Sequence, residues 1–302
     1  MKINETVACK TIHAPEQLTR KSHPGERLSS AQPETTGPNM TKQAISTALI
    51  TGGSSGIGLA TARLLSQEGV RVALLARDEK KLREAAELLD PVPLIFPVDV
   101  QDAAALAGTI ARVEESLGHL DIAIVNAGIG LYGPVTQTSW SDMKEVLRVN
   151  VEGAIFTAGA VAKHMVARGE GSIVFVSSIL GKRAIPNSAV YSASKYALQG
   201  FADAFRLEME PHGIHVAVVL PPRTDTPFHE RMVKSAPIPP SRASMPSVPA
   251  DTVAGAIFHA LKHRKREVVV SLPGKLFTFF GYHFPGLGDL LLRRYYGEND
   301  TE

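Results

Sequence analysis

Tyr191 and Lys195 stand four residues apart in the run YSASK. On a helix that spacing places both side chains on one face. A free phenol, with a pKa of about 10, is a poor base near neutrality, but a neighbouring ammonium stabilises phenolate, so the pair is a candidate acid/base unit. The same spacing also occurs on ordinary helix surfaces, and alone it does not separate the two. Two serines, Ser177 and Ser178, close the strand-like run upstream of the pair and tilt the balance towards chemistry.

A second group of residues suits a phosphate. In ISTALITGGSSGIG, Ile45 to Gly58, an apolar run ends in a glycine-rich turn and a helical pattern follows at once. Gly52, Gly53, Gly56 and Gly58 let the backbone turn tightly and approach a ligand with no Cβ in the way. The free N–H groups and positive dipole end of the helix that opens near Ile57 then point into the turn, where a pyrophosphate fits. Ser54 and Ser55 offer hydroxyls to the same group. A glycine turn with no ligand is the alternative, and the order strand, turn, helix weighs against it.

If a dinucleotide lies on this turn, the end of the second strand contacts its adenosine ribose, and a carboxylate there would hold the 2′-hydroxyl of NAD. That place holds Ala76 followed by Arg77. A guanidinium pairs with a 2′-phosphate, so NADP(H) is expected over NAD(H). The competing reading makes Arg77 a solvated loop charge blunted by Asp78.

The elements that must position these groups alternate. Strands are expected over Ala48–Ile50, Arg71–Ala76, Leu94–Val98, Asp121–Val125, Ser172–Val176, His215–Leu220 and Glu267–Ser271. Helices are expected between them, over Glu79–Leu89, Ala103–Leu117, Met143–Arg168 with a capping box at Ser139 and Asp142, Ala189–Glu210 and Asp251–His263. This predicts an α/β fold, a single doubly wound Rossmann-type domain with a parallel sheet of about seven strands and helices on both faces. Residues 43–271 form that domain. Pro227 to Pro249 breaks the alternation with six prolines and reads as a lid over the substrate, the alternative being a plain mobile loop.

Residues 1–42 mix Pro, Ser, Thr, Glu and Lys with few large apolar residues and read as a disordered tail; Met40, next to the first strand, offers a second start. The tail has no apolar stretch of the signal-peptide kind. With a hydrophobic share of 44% a sizeable core can form, and a net charge of +2 gives no reason to expect nucleic acid. Cys9 is the one cysteine, so no intrachain disulfide forms and a reducing compartment is permitted. The expected setting is the cytoplasm, with peripheral membrane contact as an option. No His cluster has metal-ligand spacing, and no metal is expected.

Taken together, TGGSSGIG, Asp99 after a strand, the Asn126-Ala127-Gly128 turn, Asn150, Ser178, YSASK and PPRTDT at Pro221–Thr226 resemble the short-chain dehydrogenase/reductase superfamily in order and spacing, over roughly residues 42–271. The resemblance implies a catalytic tetrad of Asn150, Ser178, Tyr191 and Lys195. It further implies a cofactor trough made by Thr51, Gly52, Ser54, Ser55, Gly56, Ile57, Gly58, Arg77, Asp99, Val100, Asn126, Ala127, Gly128, Tyr191, Lys195, Pro221 and Thr226. In such a site Tyr191 exchanges a proton while hydride passes at the nicotinamide, Ser178 holds the substrate oxygen, Lys195 lowers the Tyr191 pKa and binds the ribose, and Asn150 helps order a water. Pro222 departs from the family's usual Pro-Gly turn, and Val125 stands where asparagine is frequent.

The expected activity is NADP(H)-dependent interconversion of a small-molecule carbonyl and a secondary alcohol. The rival is a regulator that senses NADP(H) without turnover. Residues 272–302 form an aromatic-rich extension, and Lys275 to Tyr296 carries seven of the chain's 18 aromatics. It packs over the pocket or against a second copy in a homo-oligomer, or it dips into a membrane interface beside Lys275, Arg293 and Arg294, where a lipid-like substrate would be met.

Overall fold

The computed structural model describes residues 46–238 and 246–297. The tail expected over residues 1–42, Met40 and the centre of the proline-rich segment lie outside the described residues.

The first half of the chain runs β1 (Thr47–Thr51), α1 (Gly56–Gln67), β2 (Arg71–Ala76), α2 (Glu79–Ala86), β3 (Leu94–Pro97), α3 (Ala103–Leu117) and β4 (Ile122–Val125). A two-residue β5 (Leu131–Tyr132) precedes α4 (Trp140–Leu147) and α5 (Gly153–Arg168). The second half continues with β6 (Gly171–Val176), α6 (Ala189–Met209), β7 (Ile214–Leu220), β8 (Thr224–Asp225), β9 (Val233–Lys234) and β10 (Val248–Pro249). It closes with α7 (Ala250–Lys262), β11 (Glu267–Val269), α8 (Leu272–His283) and α9 (Pro285–Gly297).

Seven strands form one parallel sheet in the order β11-β7-β6-β4-β1-β2-β3. The chain starts at the centre, winds out to β3, then returns to β4 and winds out the other way. Between β1 and β4 the connections leave in opposite directions, which opens a crevice at the carboxyl ends of these strands. Alternate residues feed two cores: Ala48, Ile50, Leu74 and Val219 lie on the face covered by α1, α2 and α7, whereas Leu49, Leu75, Phe175 and Val218 lie under α3, α5 and α6. Burial on both faces is why these strands read as unbroken apolar runs.

Three expectations shift. The single helix expected over residues 143–168 starts at Trp140, capped by Ser139, whose Oγ accepts from the Asp142 N–H at 3.1 Å. It is then interrupted by a π-helical turn, Arg148–Glu152, that carries Asn150. The proline-rich segment is not without strands, since β9 and β10 pair with β5 and β8.

At the far end of the crevice strands, Asp121 ties β1 to β4. Its carboxylate accepts from the Ser46 and Thr47 N–H groups at 2.8 and 3.1 Å and from Arg168 at 3.2 Å. Burial works to raise its pKa, but these hydrogen bonds and the charge of His119 outweigh burial and hold it below the ordinary carboxylate value. Asp121→Ala is expected to cost about 3 kcal/mol in chemical denaturation, because it leaves a set of half-buried donors without their acceptor. The contribution is complete above the unfolded-state pKa of 3.8 and is lost as pH falls through the lower folded value, so the variant and the parent converge in acid.

Candidate active site

The turn between β1 and α1 needs glycine for two different reasons. Gly52 and Gly56 take φ of +65° and +55°, a region other residues rarely occupy without strain. At Gly58 the constraint is room, since a Cβ there would lie 2.3 Å from the Gly52 carbonyl oxygen. Ser55 is the N-cap of α1, but its side chain makes no capping bond, and the first turn of α1 holds no acidic residue. The first N–H groups of α1 therefore face the cleft with no partner from within the helix.

Thr51 and Gly58 stand behind this turn and shape it, whereas Gly52, Ser54, Ser55, Gly56 and Ile57 line the cleft. The Thr51 hydroxyl accepts from the N–H groups of Asn126 and Ala127 at 3.0 and 3.1 Å. Asn126 returns its Nδ2 to the carbonyls of Thr51 and Gly52 at 3.0 and 3.2 Å. The Asn126–Gly128 turn and the phosphate turn are thus one unit.

At the end of β2, Arg77 lines the cleft with its guanidinium 3.8 Å from the Asp99 carboxylate. Asp78 does not face Arg77: it caps α2 by accepting from the Lys81 N–H at 3.1 Å and pairs with the Lys81 ammonium at 3.2 Å. The bond from the Lys81 backbone is the main reason that its pKa is lowered. Lys81 is a second cation on the cleft wall that sequence reasoning missed, although its place three residues after a capping Asp was a usable signal. Asp99 and Val100 also line the cleft, and Asp99 is steadied by the Gln101 N–H at 3.0 Å.

Ser178, Tyr191 and Lys195 meet where β6 ends against α6. Lys195 is 4% exposed, and its Nζ donates to the Val176 carbonyl at 3.1 Å and lies 5.7 Å from the centre of the Tyr191 ring. Burial drives its pKa down to about 8. Burial likewise pushes the Tyr191 phenol up to about 12, against a smaller opposing effect of its hydrogen bond to Ser178. Desolvation thus outweighs the lowering of the phenol expected from its neighbour.

Neighbours that the sequence did not single out hold this geometry. The Ser177 hydroxyl is engaged by α6: it donates to the Lys195 carbonyl at 3.2 Å and accepts from Gln199 at 3.2 Å. Gly181 admits that carbonyl, which would lie 2.8 Å from a Cβ. Asn150 is fully buried in the π turn, with its side chain bonded to both backbone groups of Ile129 at 2.8 and 2.9 Å and to Ser194 at 3.0 Å. Ser194 in turn donates to the Tyr191 carbonyl at 2.6 Å. The Asn150 amide is therefore engaged in holding Ile129 and Ser194 in place.

The cleft continues without a wall into a substrate half, giving one cavity of about 1630 Å³. Ile179, Leu180, Phe228, Met232, Phe277 and Leu292 are among the apolar residues that line it. Pro221 accepts from the Ile179 N–H at 3.0 Å, so the prolines of the departing turn are fixed to the Ser178 segment. The lid that follows is tied down: the N–H groups of Val233 and Ser235 donate to Gly130 and Tyr132 at 2.9 and 3.0 Å. Thr226 packs against Gly56, Phe228 lies 6.0 Å from Tyr191 by ring centres, and Arg231 donates to the Ser55 hydroxyl at 3.2 Å.

Helices α8 and α9 roof the substrate half. Arg183, from the segment after Ser178, reaches between them to Asp289 at 2.5 Å, and Gly281 and Gly288 make room for its side chain. The outer side of the same two helices exposes Phe279, Tyr282, Phe284 and Leu290. No described helix is long and apolar enough to cross a membrane. Among the described residues no group of three or more His, Cys, Asp or Glu is gathered for a metal.

A family model described as short chain dehydrogenase matches residues 46–236. The chain is 31% identical to an uncharacterized oxidoreductase of Bacillus subtilis, YxnA, over 82% of this chain and 71% of that protein. It is 37% identical to the 3-dehydrosphinganine reductase TSC10B of Arabidopsis thaliana, over 76% of this chain and 71% of that one. The match to the zebrafish 3-dehydrosphinganine reductase spans 60% of that protein's length. Among solved structures, an alcohol dehydrogenase from the archaeon Thermococcus sibiricus, complexed with 5-hydroxy-NADP, is 26% identical with a TM-score of 0.66, covering 74% of this chain and 95% of that one.

Lys195 carries a measurable consequence. Its folded pKa of about 8 lies below the 10.5 of an unburied lysine, so the unfolded chain holds the proton more tightly. The cost is complete below pH 8 and relieved as pH rises towards 10.5. Lys195→Met is expected to stabilise the protein at pH 7 by on the order of 1 kcal/mol, after allowance for the lost bond to Val176. Melts at pH 7 and above pH 10.5 check this; a Met variant less stable at pH 7 would show that burying the ammonium carries no net cost.

Proposed function

The chain belongs to the short-chain dehydrogenase family and is an oxidoreductase acting on a carbonyl or alcohol, and we propose that it uses NADP(H) and takes a lipid-like substrate. The observation that carries the reaction is the meeting of Ser178, Tyr191 and Lys195 in one cleft with the phosphate turn. NADPH, when bound, supplies hydride to the carbonyl carbon. Ser178 holds the carbonyl oxygen, and Tyr191, protonated with its pKa at about 12, delivers the proton as oxygen gains charge. Lys195 would hold the nicotinamide ribose, and its ammonium offsets charge on Tyr191 once the proton has left. Asn150 positions the wall opposite through Ile129 and steadies α6 through Ser194.

The preference for NADP(H) rests on Ala76 in place of a ribose-binding carboxylate and on the cations Arg77 and Lys81 beside it. The lipid-like substrate rests on the apolar residues that line the cavity between Tyr191 and the α8–α9 roof, Ile179, Leu180, Phe277 and Leu292 among them, and it agrees with the 3-dehydrosphinganine reductases among the relatives. On this reading the exposed apolar face of α8 and α9, with Lys275, Arg293 and Arg294 nearby, rests on a lipid surface from which substrate enters.

Following NADPH absorbance with ketones of rising chain length tests the activity: turnover is expected to favour long-chain 3-oxo compounds over short ketones, and equal rates would remove the lipid assignment. Tyr191→Phe is expected to keep cofactor binding and lose at least about 100-fold in turnover, the scale of positioned acid catalysis. Arg77→Ala is expected to weaken NADPH binding about tenfold or more while sparing NADH; equal losses would make Arg77 a bystander. Serine at Phe279, Tyr282 and Leu290 together is expected to abolish flotation with phosphatidylserine-containing vesicles and leave turnover of a short ketone unchanged. If the triple variant instead dissociates a dimer and floats as before, that face belongs to a second copy of the chain.

A further inference from the structure

We infer that Arg231, from the lid, is the clamp on the cofactor's diphosphate, so that the nucleotide half of the cleft and the substrate lid are closed by one group. The inference rests on the dinucleotide reading above and concerns how the site holds that ligand.

Three observations converge. Ser55 is the N-cap of α1, yet its side chain makes no capping bond; its hydroxyl accepts instead from an Arg231 guanidinium nitrogen at 3.2 Å, from 176 residues away in the chain. The guanidinium is thereby set at the mouth of the phosphate turn, where α1 presents N–H groups and no acidic side chain. Arg231 is exposed and, among the described residues, makes no salt bridge. A cation placed at an anion-binding turn whose side-chain partner among the described residues is the neutral Ser55 hydroxyl gains a charge-assisted bond when a diphosphate arrives, and Ser55 is then free to donate to the same group.

The lid gives this contact a further consequence. Arg231 lies between Phe228, which packs near Tyr191, and Val233, which the Gly130 carbonyl holds in the pairing of β9 with β5. Met232 lies against Gly130, where a Cβ would sit 3.0 Å from its own Cβ. The backbone ladder fixes one side of the lid, and Arg231 fixes the other through the nucleotide turn. A diphosphate gripped by Arg231 therefore tightens the wall that Phe228 presents to the substrate. Because the contact is to phosphates common to both dinucleotides, it does not discriminate between them, in contrast to Arg77.

The test is a fluorescence titration of NADPH and NADH against the full chain, Arg231→Ala and Arg231→Lys, with chymotryptic cleavage at Phe228 as a second readout. Arg231→Ala is expected to weaken both cofactors by a similar factor, about tenfold or more, and to leave their ratio unchanged. Arg231→Lys keeps a point charge but loses the fork and should fall between. Inorganic pyrophosphate should compete with NADH in the parent and compete less well in Arg231→Ala, and NADPH should protect Phe228 in the parent only. Unchanged affinities in Arg231→Ala overturn the clamp, as does a loss confined to NADPH, which would place Arg231 at the 2′-phosphate. If Arg231→Ala fails to fold by circular dichroism, the Lys variant with wild-type affinity for both cofactors and undiminished pyrophosphate competition overturns it equally. A parent chain that binds neither cofactor refutes the dinucleotide reading itself, a result distinct from any of these.

Discussion

Keeping an ammonium in a buried site is the constraint around which the cleft is built. Lys195 gives up most of its hydration for one carbonyl and the face of a tyrosine ring, and its lowered pKa shows that the exchange is unfavourable for the charge. Such a group stays where it is only if the surrounding backbone cannot relax. The Ser177 hydroxyl and the bare backbone at Gly181 fix the Lys195 carbonyl, while Asn150 and Ser194 fix the carbonyl of Tyr191 from the opposite side. The stability given up at this point is offset by the two apolar cores on either side of the sheet, and it is the kind of local cost that functional sites carry.

The other half of the cleft is set by steric rather than electrostatic limits. Positive φ at Gly52 and Gly56 and a missing Cβ at Gly58 let α1 begin close to the sheet, and the Thr51–Asn126 exchange pins that turn to the end of β4. Both units depend on the crossover between β1 and β4, and Asp121 secures those strands at their opposite end. The binding face is thus braced at its base as well as at the cleft.

The segments at the rim set what can enter. The lid reaches the phosphate turn at Ser55 and the reaction site at Tyr191, while α8 and α9 are attached to the segment after Ser178 through Arg183 and Asp289. Each rim element touches either the β1–α1 turn or the segment that carries Ser178 and Tyr191.

The fold, the glycine turn and the pairing of Tyr191 with Lys195 on one helix were legible from the sequence because each rests on local rules: doubly buried strands read as apolar runs, a tight turn needs glycine, and the Tyr–Lys pair needs one helical turn of separation. Order along the chain then identified Ser178 and Asn150 with the superfamily's tetrad. Tertiary structure decided what depends on contacts between distant segments. Thr51 and Gly58 proved to be supports behind the turn, and Ser177 turned out to hold α6. The phenol of Tyr191 is raised by burial rather than lowered by its neighbour, a balance that spacing cannot express. Lys81 on the cleft wall and Arg231 at the β1–α1 turn entered the site through cap geometry and through a contact across 176 residues, the second of which no sequence pattern announces. The aromatic tail carried no readable period for its fate, because one pair of helices faces the cavity on one side and solvent on the other, and that division is made only by where the rest of the protein stands.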